Sequence, residues 1–227
     1  MKHESFNEST EMYLKTIIEL AESDETAVPI SALADRMGVS NVSATEMVHR
    51  LEKRELLNHE PYRGVRLSPT GRLRAAAIIR SHHMWEVFLA RHLELPWEKV
   101  HDYSCRLEHA TNSAVTEALA TYLEHPQRCP HGNAIPDRDG RQAVLFDMPL
   151  TKMEPGQKGV ISRITPESTL LLEYLAKRKM KPGQVITFDE VAPFNGPLMV
   201  TCAGDSHALG REVAAHIYVE LDEKESN

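Results

Sequence analysis

The stretch richest in chemistry is His101-Asp-Tyr-Ser-Cys105-Arg-Leu-Glu108-His109. A helix advances about 100° per residue, so His101, Cys105, Glu108 and His109 would share one arc of about 100°. Imidazole, thiolate and carboxylate gathered on one face are ligand chemistry for a first-row transition metal. A second pair, His82 and Glu86, stands at i, i+4 on the preceding segment and can bite one ion together. Any one of these residues alone has a plainer reading. A lone helical His or Glu belongs to a solvated face, and a lone Cys is a small buried hydrophobe. Six such residues at these spacings favour metal binding. His83, off the arc of its neighbour, reads as surface or packing. Cys129 and His131, in the Pro-rich "RCPHGNAIP", read as part of a structural turn in preference to a half-site.

Composition bounds the scaffold that must hold these ligands. The 227 residues carry 26 Lys plus Arg against 33 Asp plus Glu, for a net charge of −7. At about 100–200 residues per domain, this is one large domain or two to three small ones. Hydrophobic residues at 41% and charged residues at 26% exclude wholesale disorder. No apolar run approaches the ~18 residues of a membrane span. The opening MKHESFNESTEM is polar and acidic, unlike a secretory leader, so the expected location is cytoplasmic. Three cysteines, Cys105, Cys129 and Cys202, do not make a secreted disulfide framework. The charge is uneven. Between Arg36 and Arg80, nine Arg or Lys face four Glu. A basic segment in an acidic chain is the footprint of one DNA-facing module.

Three segments follow. In residues 1–74, Met12, Tyr13, Leu14, Ile17, Ile18 and Leu20 form a helical stripe behind Ser9 or Thr10 as N-cap. Residues 32–37 predict a short helix ended by Gly38, and 41–55 a second helix. Residues 56–60 and 64–67 read as two strands around Pro61-Tyr62-Arg63-Gly64. Helix, glycine turn, helix and hairpin in that order make a winged helix-turn-helix. A three-helix structural domain with a surface hairpin is the alternative, and the basic bias on these same elements counts against it. Residues 75–146 predict helices over 72–92, 97–109 and 113–123. Their Ile78, Ile79, Met84, Val87, Phe88 and Leu89 bury more readily against a second copy, so a homodimer is expected. Residues 125–149 form a Pro- and Gly-containing loop. Residues 147–227 predict strands over 158–164, 184–188, 198–202 and 212–220 around one helix over 170–179, a small β-barrel.

The stretches "TEMYLKTIIEL", "KVHDYSCRLEHATN" and "CPHGNAIP", joined to the winged helix, resemble the diphtheria-toxin-repressor family of metal-dependent transcriptional repressors. The C-terminal "MEPGQKGVISRI" and the segment from "KMKPGQVITF" to "HIYVE" resemble the SH3-like FeoA-type domain that many members carry. The resemblance covers nearly the whole chain. It implies a mainly α protein with a winged helix-turn-helix, a helical dimerisation domain and a C-terminal SH3-like β-barrel. It implies a regulatory metal site at Met12, Cys105, Glu108 and His109, and an ancillary site at His82, Glu86 and His101. Ligands added by the SH3-like domain are not placed by spacing, although Glu167 falls in the matching region. Shorter manganese-responsive relatives carry a carboxylate at the position of Met12 and a glutamate at the positions of Lys15 and Cys105. Thioether and thiolate are softer ligands, which favours Fe(II) and leaves Mn(II) open.

The expected function is a homodimeric, metal-activated, DNA-binding repressor of metal-homeostasis genes. A manganese-responsive regulator of the same family is the near alternative. A metallohydrolase built on the His/Glu/Cys cluster is the alternative from another class. It is disfavoured because catalysis needs an open coordination position, and no catalytic residue is assigned. Double-stranded operator DNA is the expected partner, with no membrane involved. Ser40, Asn41, Val42, Ser43, Thr45 and Glu46 lie at the end of the second helix expected to enter the major groove. Arg50, Arg63 and Arg66 are expected on phosphates. Related iron-responsive proteins carry Gly-Pro and Gln at the positions of Asn41-Val42 and Glu46, so a shared operator does not follow.

Overall fold

A computed structural model describes residues 8–21 and 26–222, which form two compact units. The first unit gathers Met1–His82, Leu107–Glu117 and Pro136–Gln142, and the second His83–Arg106, Ala118–Ile135 and Ala143–Asn227. Residues 1–7 and 223–227 of the expected end segments lie outside the described residues.

The first unit opens with α1 (Glu8–Leu20), α2 (Ile30–Met37) and α3 (Asn41–Lys53), followed by the hairpin β1 (Leu57–Glu60) and β2 (Gly64–Leu67). Gly38 ends α2 at φ 64, the left-handed conformation that a residue without Cβ enters freely. Ser40 caps α3 by accepting a hydrogen bond from the Ser43 backbone N–H at 3.1 Å. Ser9 and Thr10, expected as caps, lie inside α1, which is already helical at Glu8. The hairpin is held to the helices at Val28, whose backbone exchanges two 2.9 Å hydrogen bonds with Val65. Glycine is required beside that contact: a Cβ on Gly64 would stand 2.1 Å from the Val28 carbonyl oxygen. Leu14, Ile17, Leu33, Val48, Leu51, Leu57 and Val65 close the core. This is the winged helix-turn-helix. α4 (Pro69–Arg91), α5 (Val100–Ala110) and α6 (Ser113–Tyr122) follow, each within a few residues of its expected span. Arg80 of α4 is buried and bonds the Glu117 carboxylate at 2.9 Å and the Pro136 carbonyl at 2.8 Å.

In the second unit, β3 (Met148–Pro149), β4 (Lys158–Ile164), α7 (Thr169–Ala176), β5 (Val185–Val191), β6 (Leu198–Cys202), β7 (Asp205–Leu209), α8 (Arg211–Ala215) and β8 (Ile217–Leu221) follow in order. The strands form one sheet in the order β3-β8-β4-β5-β6-β7. Leu150, Ile161, Ile164, Leu172, Leu175, Ile186, Phe188, Val200 and Val219 fill its inner face. Where a small β-barrel was expected, the structure shows a C-terminal β-sheet in which, among the described residues, no pairing joins β7 to β3. The strand expected over 212–220 is a five-residue helix followed by β8, and β7 is an additional strand. β7 escaped notice because it is an edge strand whose residues are mostly exposed, so it has no clear apolar alternation.

Asp147, just before β3, anchors the sheet's start. Its carboxylate accepts from Ser162 Oγ at 2.7 Å and from Arg163 Nε at 2.9 Å. Burial works to raise this carboxyl's pKa, and the Arg163 and Ser162 hydrogen bonds outweigh it, so the pKa lies below the ordinary aspartate value. A depressed acid stabilises the fold above its unfolded pKa and loses that contribution as pH falls through the folded value. Asp147→Ala should lower unfolding free energy by about 1–3 kcal/mol at neutral pH, because Arg163 and Ser162 lose their acceptor. Chemical denaturation measures this, and the deficit should shrink as the wild type is acidified below about pH 4.

Candidate metal centre

Each unit carries its own cluster of ligand-type side chains. In the first, α1 supplies Glu11 and Lys15, α4 supplies His82, and α5 supplies Glu108 and His109. The Glu108 carboxylate is fully buried. It accepts from Lys15 Nζ at 2.8 Å and 3.0 Å, one bond to each oxygen. His82 Nδ1 lies 2.5 Å from Glu108 Oε2. Burial would raise the Glu108 pKa, and the hydrogen bond and charge of His82, joined by Lys15, outweigh it and hold the group below its ordinary value.

His109 stands beside this carboxylate. Its Nδ1 donates to Glu11 Oε2 at 2.7 Å, which turns Nε2 toward Glu108. That Nε2 is buried, makes no hydrogen bond among the described residues, and lies 3.3 Å from Glu108 Oε1. A carboxylate orienting one nitrogen of an imidazole while the other faces a second carboxylate is how metal-binding histidines are held. The residues present therefore fit a divalent ion. Met12 is half-buried on α1 in this same unit.

The second cluster draws on α4, α5, the loop before β3 and the turn before α7. Nδ1 of His101 lies 3.5 Å from Glu86 and 3.2 Å from Glu167. Nδ1 of His131 lies 3.2 Å from Glu86 and 3.6 Å from Glu167. Cys129 Sγ donates to Glu167 at 3.4 Å, and His83 Nε2 lies 3.6 Å from the same carboxylate. One ligand atom from each of His83, Glu86, Cys129 and Glu167 falls within 4.8 Å of the others. His131 donates from Nε2 to the Trp97 carbonyl at 2.8 Å, which turns Nδ1 toward the carboxylates. Burial pulls the His131 pKa down, but Glu86 and Glu167 outweigh it and hold the imidazole well above its ordinary value. Burial first, then the same two carboxylates, push the Cys129 thiol up.

The loop's position is set by backbone. The Ile164 N–H donates to the His131 carbonyl at 2.9 Å, and Asn133 Nδ2 donates to the Ile164 carbonyl at 3.0 Å. Gly132, at φ 86, lies so close to β4 that a Cβ would stand 1.9 Å from the Ser162 carbonyl oxygen. Only glycine admits this approach, and it carries Cys129 and His131 to Glu167.

The expected ligands are thus divided. Glu108 and His109 come together in the first unit, with Met12 on the neighbouring α1. Cys105 belongs to the second unit, where its Sγ lies 3.6 Å from His101 Nε2. Glu86 Oε1 lies 3.5 Å from His101 Nδ1 in the second unit, and His82 Nδ1 lies against Glu108 in the first. His83, expected as surface or packing, is buried beside Glu167. Cys129 and His131 lie in the expected turn, closed by the Gly132 N–H donating to the Cys129 carbonyl at 2.9 Å, and that turn sets them beside Glu86 and Glu167. Their spacing gave the signal, but its weight comes from Glu86 and Glu167, which are distant in sequence. Glu11 gave no signal, and Lys15 stood out only as a position where manganese-responsive members of the resembled family carry glutamate.

Of the residues expected on DNA, Asn41, Val42, Ser43, Glu46 and Arg50 are exposed on α3, and Val42 keeps 70% of its surface open. Ser40 serves as the α3 cap, and Thr45 Oγ1 donates to the Asn41 carbonyl at 2.7 Å. On the wing, Arg66 pairs with Glu60, and Arg63 reaches the same carboxylate at 3.9 Å.

Residues 5–65 match the family "Iron dependent repressor, N-terminal DNA binding domain", and residues 68–137 match "Iron dependent repressor, metal binding and dimerisation domain". Residues 148–221 match "FeoA domain". The diphtheria toxin repressor of Corynebacterium jeikeium is 41% identical over 133 residues, 58% of this chain and 55% of that protein. The iron-dependent repressor IdeR of Mycobacterium tuberculosis is 38% identical over 130 residues, 57% of this chain and 56% of that protein. The matched stretch spans about half the length of these curated relatives. Among solved structures, a manganese-dependent transcriptional repressor in complex with manganese is 30% identical. It aligns over 94% of this chain and 100% of its own, with TM-score 0.85. IdeR of T. acidophilum is 27% identical over 93% of this chain and 97% of its own, with TM-score 0.77.

The second cluster yields its own test. Cys129→Ala should remove one of two bound Co(II) ions per chain, and the near-ultraviolet thiolate charge-transfer band with it. Unchanged stoichiometry and an unchanged band would mean that Cys129 is no ligand.

Proposed function

The chain belongs to the iron-dependent repressor family, and we propose that it is a metal-activated transcriptional repressor of the iron-responsive type. The observation that carries this reading is the buried pair Glu108–His109, with His109 oriented by Glu11 and its Nε2 left to face a carboxylate. When bound, a divalent ion supplies the charge that satisfies these groups together. Glu108 and His109 on α5, with Met12 on α1, would then tie the first helix of the winged helix-turn-helix to α5. Glu86, His101, Cys129, His131 and Glu167 form the ancillary site, with His83 at its edge. The thiol of Cys129, the thioether of Met12 and the imidazoles favour Fe(II) over Mn(II). One observation favours manganese instead: solved structures similar over nearly the whole chain include manganese-dependent repressors.

The domains we assign are 1–74 for DNA binding, 75–146 for metal binding and dimerisation, and 147–227 for the FeoA-type domain. A homodimer in the cytoplasm follows from this family role, with no catalytic activity of its own. Among the described residues, no helix is long and apolar enough to cross a membrane. A dimer presents two recognition helices about 34 Å apart, one turn of DNA. Asn41, Ser43 and Glu46 on α3 face base edges, and Val42 suits a thymine methyl. Arg50, Arg63 and Arg66 meet phosphates. Fixing α1 against α5 removes an ordering cost on binding DNA. A coupling of about 1–3 kcal/mol raises operator affinity about 5–150-fold, and operator tightens metal by the same factor.

The deciding experiment is an anaerobic mobility shift on promoter DNA, titrated separately with Fe(II) and Mn(II). Retardation should appear at lower Fe(II) than Mn(II), and Glu108→Gln should abolish the metal response. Full DNA binding after chelation would refute metal activation. Arg63→Ala should weaken binding to every sequence alike and make the logarithmic salt slope shallower by about one unit. A loss confined to one base position would assign Arg63 to base reading.

A further inference from the structure

We propose that the Lys15 ammonium is a tethered competitor for the metal, holding the cation position on Glu108 until a divalent ion displaces it. This rests on reading Glu108 as a metal ligand and concerns what that ligand does without metal. Lys15 is 5% exposed, and its ammonium bonds both oxygens of a fully buried carboxylate at 2.8 Å and 3.0 Å. Those are the same oxygens through which a carboxylate binds an ion. Lys15 Nζ also lies 3.2 Å from His82 Nδ1, which itself lies 2.5 Å from Glu108 Oε2. Three side chains from α1, α4 and α5 thus converge on a single point of positive charge supplied by the protein.

The electrostatics make this a competition. A buried carboxylate without a counter-charge is strongly disfavoured, so metal-free protein needs a cation at Glu108. Lys15 supplies a compact point charge on a flexible four-carbon stem, able to leave by rotation without moving α1. A divalent ion bound to Glu108 and His109 would lie within a few ångströms of that ammonium. Two cations so close in a buried setting repel strongly, and only one holds the carboxylate at full strength. Glu11, one turn before Lys15 on the same helix, pulls the other way by orienting His109. One helix face therefore carries both the group that prepares a ligand and the group that withholds one. The balance between them sets the metal concentration at which the site fills.

The test uses Co(II), titrated anaerobically into full-length protein and read by its d–d absorption against a competing chelator. Lys15→Met removes the charge while keeping the stem's bulk, and Lys15→Arg keeps the charge. Lys15→Met should bind Co(II) about 5–150-fold more tightly than wild type, with Lys15→Arg close to wild type. Equal or weaker binding by Lys15→Met, in a protein where Glu108→Gln loses the site, overturns the competitor and leaves the site standing. Unchanged binding by Glu108→Gln overturns the reading of the site itself. A measurement on wild type covers the case in which Lys15→Met fails to fold. Acetylation by an amine-reactive reagent, read by mass spectrometry, should spare Lys15 without metal and reach it with Co(II), while exposed Lys53 reacts equally in both. Equal protection of Lys15 in both states overturns the displacement.

Discussion

A carboxylate buried where water cannot reach must be given a positive neighbour, and Glu108 is that carboxylate. Much of the first unit is arranged around this need. α1 brings Lys15, α4 brings His82, and α5 carries Glu108 itself with His109 beside it. Removing any one donor while keeping the charge would leave a polar group buried without compensation, which is a large penalty in a dry interior. The same demand makes the place selective for cations. A fold that must hold positive charge at one internal point is already most of a metal sensor.

The second unit meets the same demand differently. Two carboxylates, Glu86 and Glu167, share one buried space and are balanced by imidazoles of His101 and His131. In the second cluster these two imidazoles face the carboxylates, whereas in the first cluster an ammonium joins an imidazole on Glu108. The two clusters thus differ in the positive groups that stand against their carboxylates.

Legibility followed the range of the interactions involved. The winged helix-turn-helix was readable because its determinants are local: the left-handed glycine after α2, the serine cap of α3, and the alternation through β2. The helical arc of ligands on α5 was readable for the same reason. What packs against that arc was not, because periodicity says which face a residue occupies and nothing about what lies on it. Lys15 shows the limit well. It sits in a run of apolar residues as an ordinary charged position, and only Glu108, 93 residues away, makes it a buried one. Cys129 and His131 were visible as a pair but weightless until Glu86 and Glu167 arrived from other elements. In the C-terminal domain, strands with a buried alternating face were found, while the exposed edge strand β7 and the short α8 were missed.

The close approach of Gly132 to β4 has a genetic consequence. Cys129 and His131 owe their places to a backbone contact that any side chain at position 132 would break, since a Cβ would overlap the Ser162 carbonyl. A glycine that contributes no side chain is then as indispensable to the cluster as Cys129 and His131 just before it. Random mutagenesis scored for lost metal response would return alleles at position 132 together with those at 129 and 131. On phenotype alone, the three could not be told apart.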